Sequence, residues 1–186
     1  MLTYPPRHVD YVRENEFKHC IKLRFNSFVT ILLFAMCPSV FVGVEGFTLP
    51  NQFIAKEVTI LLENNEFTNV LLAPPLGYYP TIEEIRAILY TTRNLHGIPY
   101  TEGDMPYAKL NDLFSRLRHH TVYCYGEHTR KLVQCHIPFT PVINIEHEGF
   151  EIADKLRASC CGRSHSGRHC SFSKAIAVKN YCADNM

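Results

Sequence analysis

Short apolar runs separated by turn residues characterise the chain from about residue 39 onward. Residues 40–44 form an apolar run long enough for one buried strand, and Gly46 with Pro50-Asn51 supplies a turn. Residues 53–62 are rich in β-branched side chains and predict a second strand, and residues 67–73 predict a third. Because the connections are short, we expect these three strands to form an antiparallel meander.

A helical period replaces the strand pattern in the middle of the chain. Thr81 is a suitable N-cap, and Glu83 and Glu84 follow it in the first turn, where acidic residues favour the helix dipole. Residues 107–117 predict a second helix with one apolar face, made by Leu110, Leu113, Phe114 and Leu117.

Two further strands and two further helices complete the predicted order. Residues 121–125 and 142–145 predict the strands, whereas residues 150–156 and 173–182 predict the helices. Strands followed by mixed strands and helices are typical of an α/β domain with a mixed, five-stranded sheet.

The length and composition fit one globular domain. The chain has 186 residues, of which 46% are hydrophobic and 20% charged, so wholesale disorder is excluded. We assign residues 39–183 to the domain, residues 1–38 to a leader and residues 184–186 to a tail. The net charge of +1 excludes a global attraction to nucleic acid or to an anionic membrane.

The neutral total hides a basic segment near the C-terminus. Residues 155–183 carry six Lys or Arg side chains and no Asp or Glu. Four of them are candidate contacts to phosphate groups: Arg157, Arg163, Arg168 and Lys174. A solvated surface is the alternative interpretation of this segment.

The cysteines and the leader point to different compartments. Scattered cysteines among apolar residues, such as Cys124, are typical of reduced core residues, and we therefore expect a cytoplasmic or nuclear protein. Residues 28–36 are apolar and follow basic residues, which resembles a secretory signal or an anchor. Pro38 interrupts this run well short of a membrane span, so secretion or anchoring is kept as the alternative and a membrane partner is not expected.

A late cluster of thiols and imidazoles is a candidate zinc site. It contains Cys160, Cys161, His165, His169 and Cys170. Zinc prefers such ligands in a tetrahedron, although the usual paired Cys-x2-Cys spacing is absent. A cysteine-rich loop without metal is the alternative.

Five short sequence words, in order, resemble an uncharacterised group of invertebrate proteins from transposon- or virus-like genes. The words are Gly43-Val-Glu-Gly-Phe47, Phe53-Ile-Ala-Lys-Glu57, His96-Gly-Ile98, Asn144-Ile-Glu146 and His169-Cys-Ser-Phe172. The predicted order of three antiparallel strands, a helix, a strand and a C-terminal helix also resembles the DEDDh 3′–5′ exonucleases. The segments His96-Gly97-Ile98 and His169-Cys-Ser-Phe-Ser-Lys-Ala175 are similar to motifs of that family. The resemblance implies a ribonuclease H-like, three-layer fold with metal-dependent cleavage of nucleic acid.

The chain departs from that family at most of the catalytic positions. The resemblance implies four carboxylates that hold two divalent metals, with a His that activates water. Gly43 stands where the first Asp is expected, and Lys174 stands where the last Asp is expected. Only Glu45 and His169 match, so the resemblance implies a degenerate active site.

Three functions are therefore open from the sequence. We expect a catalytically inactive exonuclease-like domain that needs no cofactor and binds single-stranded nucleic acid or a protein partner. The second hypothesis is an active exonuclease that uses Mg²⁺ or Mn²⁺ with Glu45, His169 and the substitute acids Glu127 or Glu146. The third is an interaction module stabilised by zinc.

Overall fold

The computed structural model describes residues 37–152, residue 161 and residues 170–185. The predictions for the leader up to residue 36 and for most of the basic and cysteine-rich segment lie outside these residues. None of the described helices is long and apolar enough to cross a lipid bilayer.

A mixed five-stranded sheet with the order β3-β2-β1-β4-β5 forms the centre of the fold. Strand β1 pairs with β2 antiparallel and with β4 in parallel, β3 pairs antiparallel with β2, and β5 pairs in parallel with β4. The strands are β1 Ser39–Thr48, β2 Phe53–Leu62, β3 Phe67–Leu71, β4 Thr121–Cys124 and β5 Val142–Asn144. The predicted α/β domain with a mixed five-stranded sheet is confirmed, and the arrangement is consistent with the expected ribonuclease H-like layout.

Four α-helices accompany the sheet in the part of the chain that the structure describes. They are α1 Ile82–Thr91, α2 Leu110–Ser115, α3 Glu127–His136 and α4 Ser171–Asn185. The predicted N-cap of α1 is confirmed, because Thr81 accepts from the backbone N–H of Glu84 while the Glu84 side chain accepts from the backbone N–H of Thr81. A π-helical turn, Thr92–His96, continues α1, and a 3-10 turn, Tyr107–Lys109, precedes α2.

Two apolar clusters pack on opposite faces of the sheet. On one face, Val40, Val42 and Val44 of β1 belong to a cluster with Phe114 and Val133 of helices α2 and α3. On the other face, the cluster joins Phe41 and Leu61 to Ala175 and Val178 of α4. Alternation of side chains along β1 separates the two sets and gives the domain its three layers.

The structure corrects two predictions of secondary structure and adds one helix. Gly46 lies inside β1, at a β-bulge, and does not form the predicted turn. Residues 150–152 are irregular, so the helix predicted over 150–156 is wrong at its start, and its remainder lies outside the described residues. Helix α3 was not predicted because Glu127–His136 is mostly polar.

Candidate functional site

Two buried carboxylates lie side by side on the sheet face that α4 covers. Glu45 of β1 and Glu57 of β2 are register partners, so their side chains point to the same face. Glu45 is 7% exposed and Glu57 is fully buried. Burial of two neighbouring carboxylates is costly unless cations or hydrogen-bond donors surround them.

A β-bulge beside this carboxylate pair directs the side chain of Lys56 away from that of Glu57. The register shifts between Glu45 and Gly46, which leaves Lys56 as the extra residue of β2. The ammonium of Lys56 donates to three backbone carbonyls, those of Leu72, Tyr100 and Glu102. Lys56 therefore binds the loop around residues 100–102, and its charge does not neutralise the carboxylate pair.

The cation that neutralises Glu45 is Lys174 in the first turn of α4. Its Nζ lies 2.7 Å from Oε1 of Glu45, and the two side chains are only 20% and 8% exposed. The same Nζ lies 3.4 Å from the backbone carbonyl of Val44. Lys174, which stands where the last Asp is expected, thus contacts Glu45, the carboxylate that matches the family pattern.

Helix α4 also fills the space where a carboxylate at position 43 would stand. A Cβ atom built on Gly43 would lie 1.9 Å from the carbonyl oxygen of Ser171 and 2.9 Å from the backbone nitrogen of Ala175. Real Cβ contacts are never this short, so glycine is required for this close packing of strand on helix. An Asp at this position requires α4 to move.

Glu57 binds the N-terminus of α4. Its Oε2 accepts from the backbone N–H of Ser171 at 2.9 Å, and the positive end of the helix dipole favours the carboxylate there. Its Oε1 lies 3.4 Å from Sγ of Cys161. Ligand atoms of Glu57, Cys161 and Cys170 all lie within 4.8 Å of one another.

A hydroxyl and amide network continues this polar region toward the edge of the sheet. The Oγ of Ser171 lies 2.7 Å from Oγ1 of Thr59, and Nδ2 of Asn69 donates to both oxygens. Helix α4 is thereby bonded through its first residue to β2 and β3.

The substitute acids Glu127 and Glu146 have partners of their own. Arg130 donates two hydrogen bonds to Glu127, at 2.7 and 2.8 Å, and this interaction lowers the pKa of Glu127 to about 2. Glu146 contacts Asn144, whose Nδ2 lies 3.4 Å from its Oε2. The structure therefore places Glu45, Glu127 and Glu146 each against a different neighbour.

Cys124, at the end of β4, is not placed to react as a nucleophile. It is fully buried, and burial raises the pKa of its thiol to about 12. A thiol that holds its proton so strongly is a poor nucleophile at neutral pH.

Several predicted site residues lie outside the described residues. These are Cys160, His165, His169, Arg157, Arg163 and Arg168. Of the predicted zinc ligands, the structure describes Cys161 and Cys170 and brings their sulfur atoms together. Glu57 was missed, although an adjacent Lys and Glu inside an otherwise apolar strand is a signal that could have identified it.

Comparisons of the chain with protein-family models, with curated proteins and with solved structures find no match.

Proposed function

We propose that this chain is a catalytically inactive exonuclease-like domain that acts by binding a protein partner inside the cell. The ion pair between Lys174 and Glu45 is the observation that supports the loss of catalysis. Two-metal hydrolysis needs carboxylates around two divalent cations about 4 Å apart. An ammonium on Glu45 repels such a cation, and α4 occupies the space beside it at Gly43.

The test of inactivity is a cleavage assay on the full chain. The protein is incubated with 3′-overhang DNA and RNA, in Mn²⁺ and in EDTA, and the products are separated on denaturing gels. We expect substrates of unchanged length in both conditions. Metal-dependent shortening that Glu45→Ala abolishes, and that Glu83→Ala at an exposed helical position leaves intact, would overturn the proposal.

An exposed apolar surface around α1 supports binding of a protein. Seven of the nine large hydrophobic side chains that are exposed in the described residues fall between positions 76 and 95. We call this set the α1 surface; it consists of Leu76, Tyr79, Ile82, Ile85, Leu89, Tyr90 and Leu95. Such clustering of exposed apolar side chains is typical of interaction sites.

The spacing and charge of the α1 surface favour one kind of partner. Ile82, Ile85 and Leu89 follow the i, i+3, i+7 spacing of a single helical stripe. Arg86 and Arg93 are exposed beside this stripe, and within the described residues neither takes part in an ion pair. An amphipathic helix with apolar side chains flanked by carboxylates complements both features.

A synthetic helix of that chemistry provides the binding test. A labelled peptide with Leu at i, i+3 and i+7 and Glu on both flanks is titrated with the full chain and followed by fluorescence anisotropy. We expect Ile85→Ser and Arg86→Glu each to weaken binding by at least about tenfold. Phe139→Ser is the matched control, because Phe139 is fully exposed and is not part of the α1 surface. Equal affinity in all variants would contradict the proposal.

Nucleic-acid binding is the competing outcome for the basic segment. The described lysines of this segment are engaged within the fold: Lys174 with Glu45, and Lys179 with the carbonyls of Leu62 and Glu63. A native gel with single-stranded DNA and RNA separates the two functions. A shift that salt weakens and that Arg163→Glu removes would favour nucleic acid over the protein partner.

A further inference from the structure

We infer that Glu57, Cys161 and Cys170 bind one zinc ion at the N-terminus of α4. These residues come from a strand, from a position more than a hundred residues later and from the position immediately before the helix. Their ligand atoms nevertheless converge within 4.8 Å. This inference is independent of the proposed function, because it concerns neither Glu45 nor the α1 surface.

The spacing of the ligand atoms fits a tetrahedral zinc ion. With Zn–S near 2.3 Å and Zn–O near 2.0 Å, a tetrahedron separates sulfur from oxygen by about 3.5 Å. Sγ of Cys161 lies 3.4 Å from Oε1 of Glu57. Two thiolates and one carboxylate are a zinc ligand set, whereas Mg²⁺ and Ca²⁺ prefer oxygen ligands. Among the described residues, these three side chains fill three of the four tetrahedral positions.

The surroundings orient the carboxylate ligand. Oε2 of Glu57 is fixed by the backbone N–H of Ser171, which leaves Oε1 directed at Cys161. This is the outer-shell hydrogen bond that metal-binding carboxylates usually make. Glu57 and Cys170 are fully buried and Cys161 is partly exposed, so the ion is reached from the side of Cys161.

Zinc binding leaves the net charge of the site unchanged, because the two protons released by the thiols offset the two charges of the ion. Two thiolates, one carboxylate and Zn²⁺ carry a net charge of about −1, and the positive end of the α4 dipole faces it. On binding, the two thiols form bonds to zinc and release their two protons to solvent. Zinc affinity should therefore rise steeply with pH.

The test uses the full chain purified without chelator. Metal content is measured by inductively coupled plasma mass spectrometry, and the bound zinc is then replaced by Co²⁺. We expect one zinc per chain and a sulfur-to-cobalt charge-transfer band in the near ultraviolet, with an intensity that reflects two thiolates. Absence of stoichiometric metal, together with no such band at saturating Co²⁺, would overturn the inference.

Ligand substitutions assign the site, and an exposed free cysteine gives the control. Cys161→Ser should halve the charge-transfer band. Glu57→Gln should keep that band but shift the visible absorption of the bound Co²⁺. Either change should lower zinc affinity by more than the about 10–100-fold that loss of an outer-shell partner costs. Cys135→Ser, at an exposed thiol, should change neither the band nor the affinity.

Folding of the variants is checked separately by circular dichroism. Cys161 is the preferred position because it is only partly buried. A folded Cys161→Ser variant that binds zinc as tightly as the natural chain, with an unchanged cobalt band, would show that other residues hold the metal and would also overturn the inference.

Discussion

Individual charged residues decide how the centre of the sheet is stabilised. Lys56 and Glu57 are adjacent in β2, yet the bulge and the alternation of the strand send them to different environments. Glu57 meets α4, whereas Lys56 is 1% exposed and donates to three carbonyls. A buried ammonium with a carbonyl for each of its three hydrogens is fully satisfied.

Replacing Lys56 should therefore strongly destabilise the fold. Lys56→Met keeps the apolar stem but leaves three backbone carbonyls without their donor, which should lower the free energy of unfolding by on the order of 3 kcal/mol. Urea denaturation followed by circular dichroism measures the change. Lys109→Met is the control, because Lys109 makes only an exposed ion pair with Asp112, and its effect should stay within about 1 kcal/mol. Equal losses in the two variants would contradict this account.

The cysteines should differ sharply in reactivity. Burial raises the pKa of Cys124 to about 12 and that of Cys182 to about 11, whereas Cys135 is exposed. At pH 8 we expect iodoacetamide to modify Cys135 and to leave Cys124 and Cys182 unmodified in the native state, because only the thiolate reacts. Peptide mass spectrometry after timed quenching locates the label. Labelling of Cys124 as fast as Cys135 without denaturant would show that the end of β4 opens readily.

At the scale of elements, the first residue of α4 connects the helix to two strands. The Oγ of Ser171 contacts Thr59 of β2 and Asn69 of β3, while the backbone N–H of Ser171 binds Glu57. Ser171→Ala removes only the hydroxyl and should cost about 1–3 kcal/mol, because polar partners are left buried. Thermal unfolding measures the loss, with Ser115→Ala, at the end of α2, as the control. A loss no larger than that of the control would mean that Thr59 and Asn69 satisfy each other.

The sequence predicts elements well where their hydrophobic period is regular. The strands around residues 40–44 and 53–62 consist mainly of apolar and β-branched side chains, and α1 carries a complete capping box, so each was predicted close to its place. Helix α3 was missed because only Thr129 and Val133 are buried along its length, too few for a visible stripe. Gly46 was misplaced because a glycine at a bulge has the same local signal as a glycine in a turn.

At the scale of the whole molecule, the site depends on distances in sequence that no local pattern encodes. The sequence singled out Glu45 and Lys174 by resemblance, but only the packing of α4 over β1 shows that they form one ion pair. Glu57 ends one of the five sequence words, but that word assigns it no ligand role, and it becomes a candidate ligand only when β2 meets Cys161 and Cys170. The local sequence indicates which strand or helix a residue belongs to. Which of these residues contact one another depends on how the strands and helices pack.

Restoring the expected carboxylate gives the sharpest test of this arrangement. Lys174→Asp replaces the ammonium by a third acid beside Glu45 and its neighbour Glu57, so in EDTA we expect the free energy of unfolding to fall by about 3–5 kcal/mol, the usual cost of breaking a buried ion pair. Lys174→Met distinguishes repulsion from simple loss of the pair and should be less destabilising. Because Gly43 leaves no room for a further carboxylate, added Mn²⁺ should not bring back cleavage of 3′-overhang DNA in Lys174→Asp. If Mn²⁺ restored both stability and cleavage, a single substitution would separate this chain from an active nuclease, and α4 would have to be able to move away from β1.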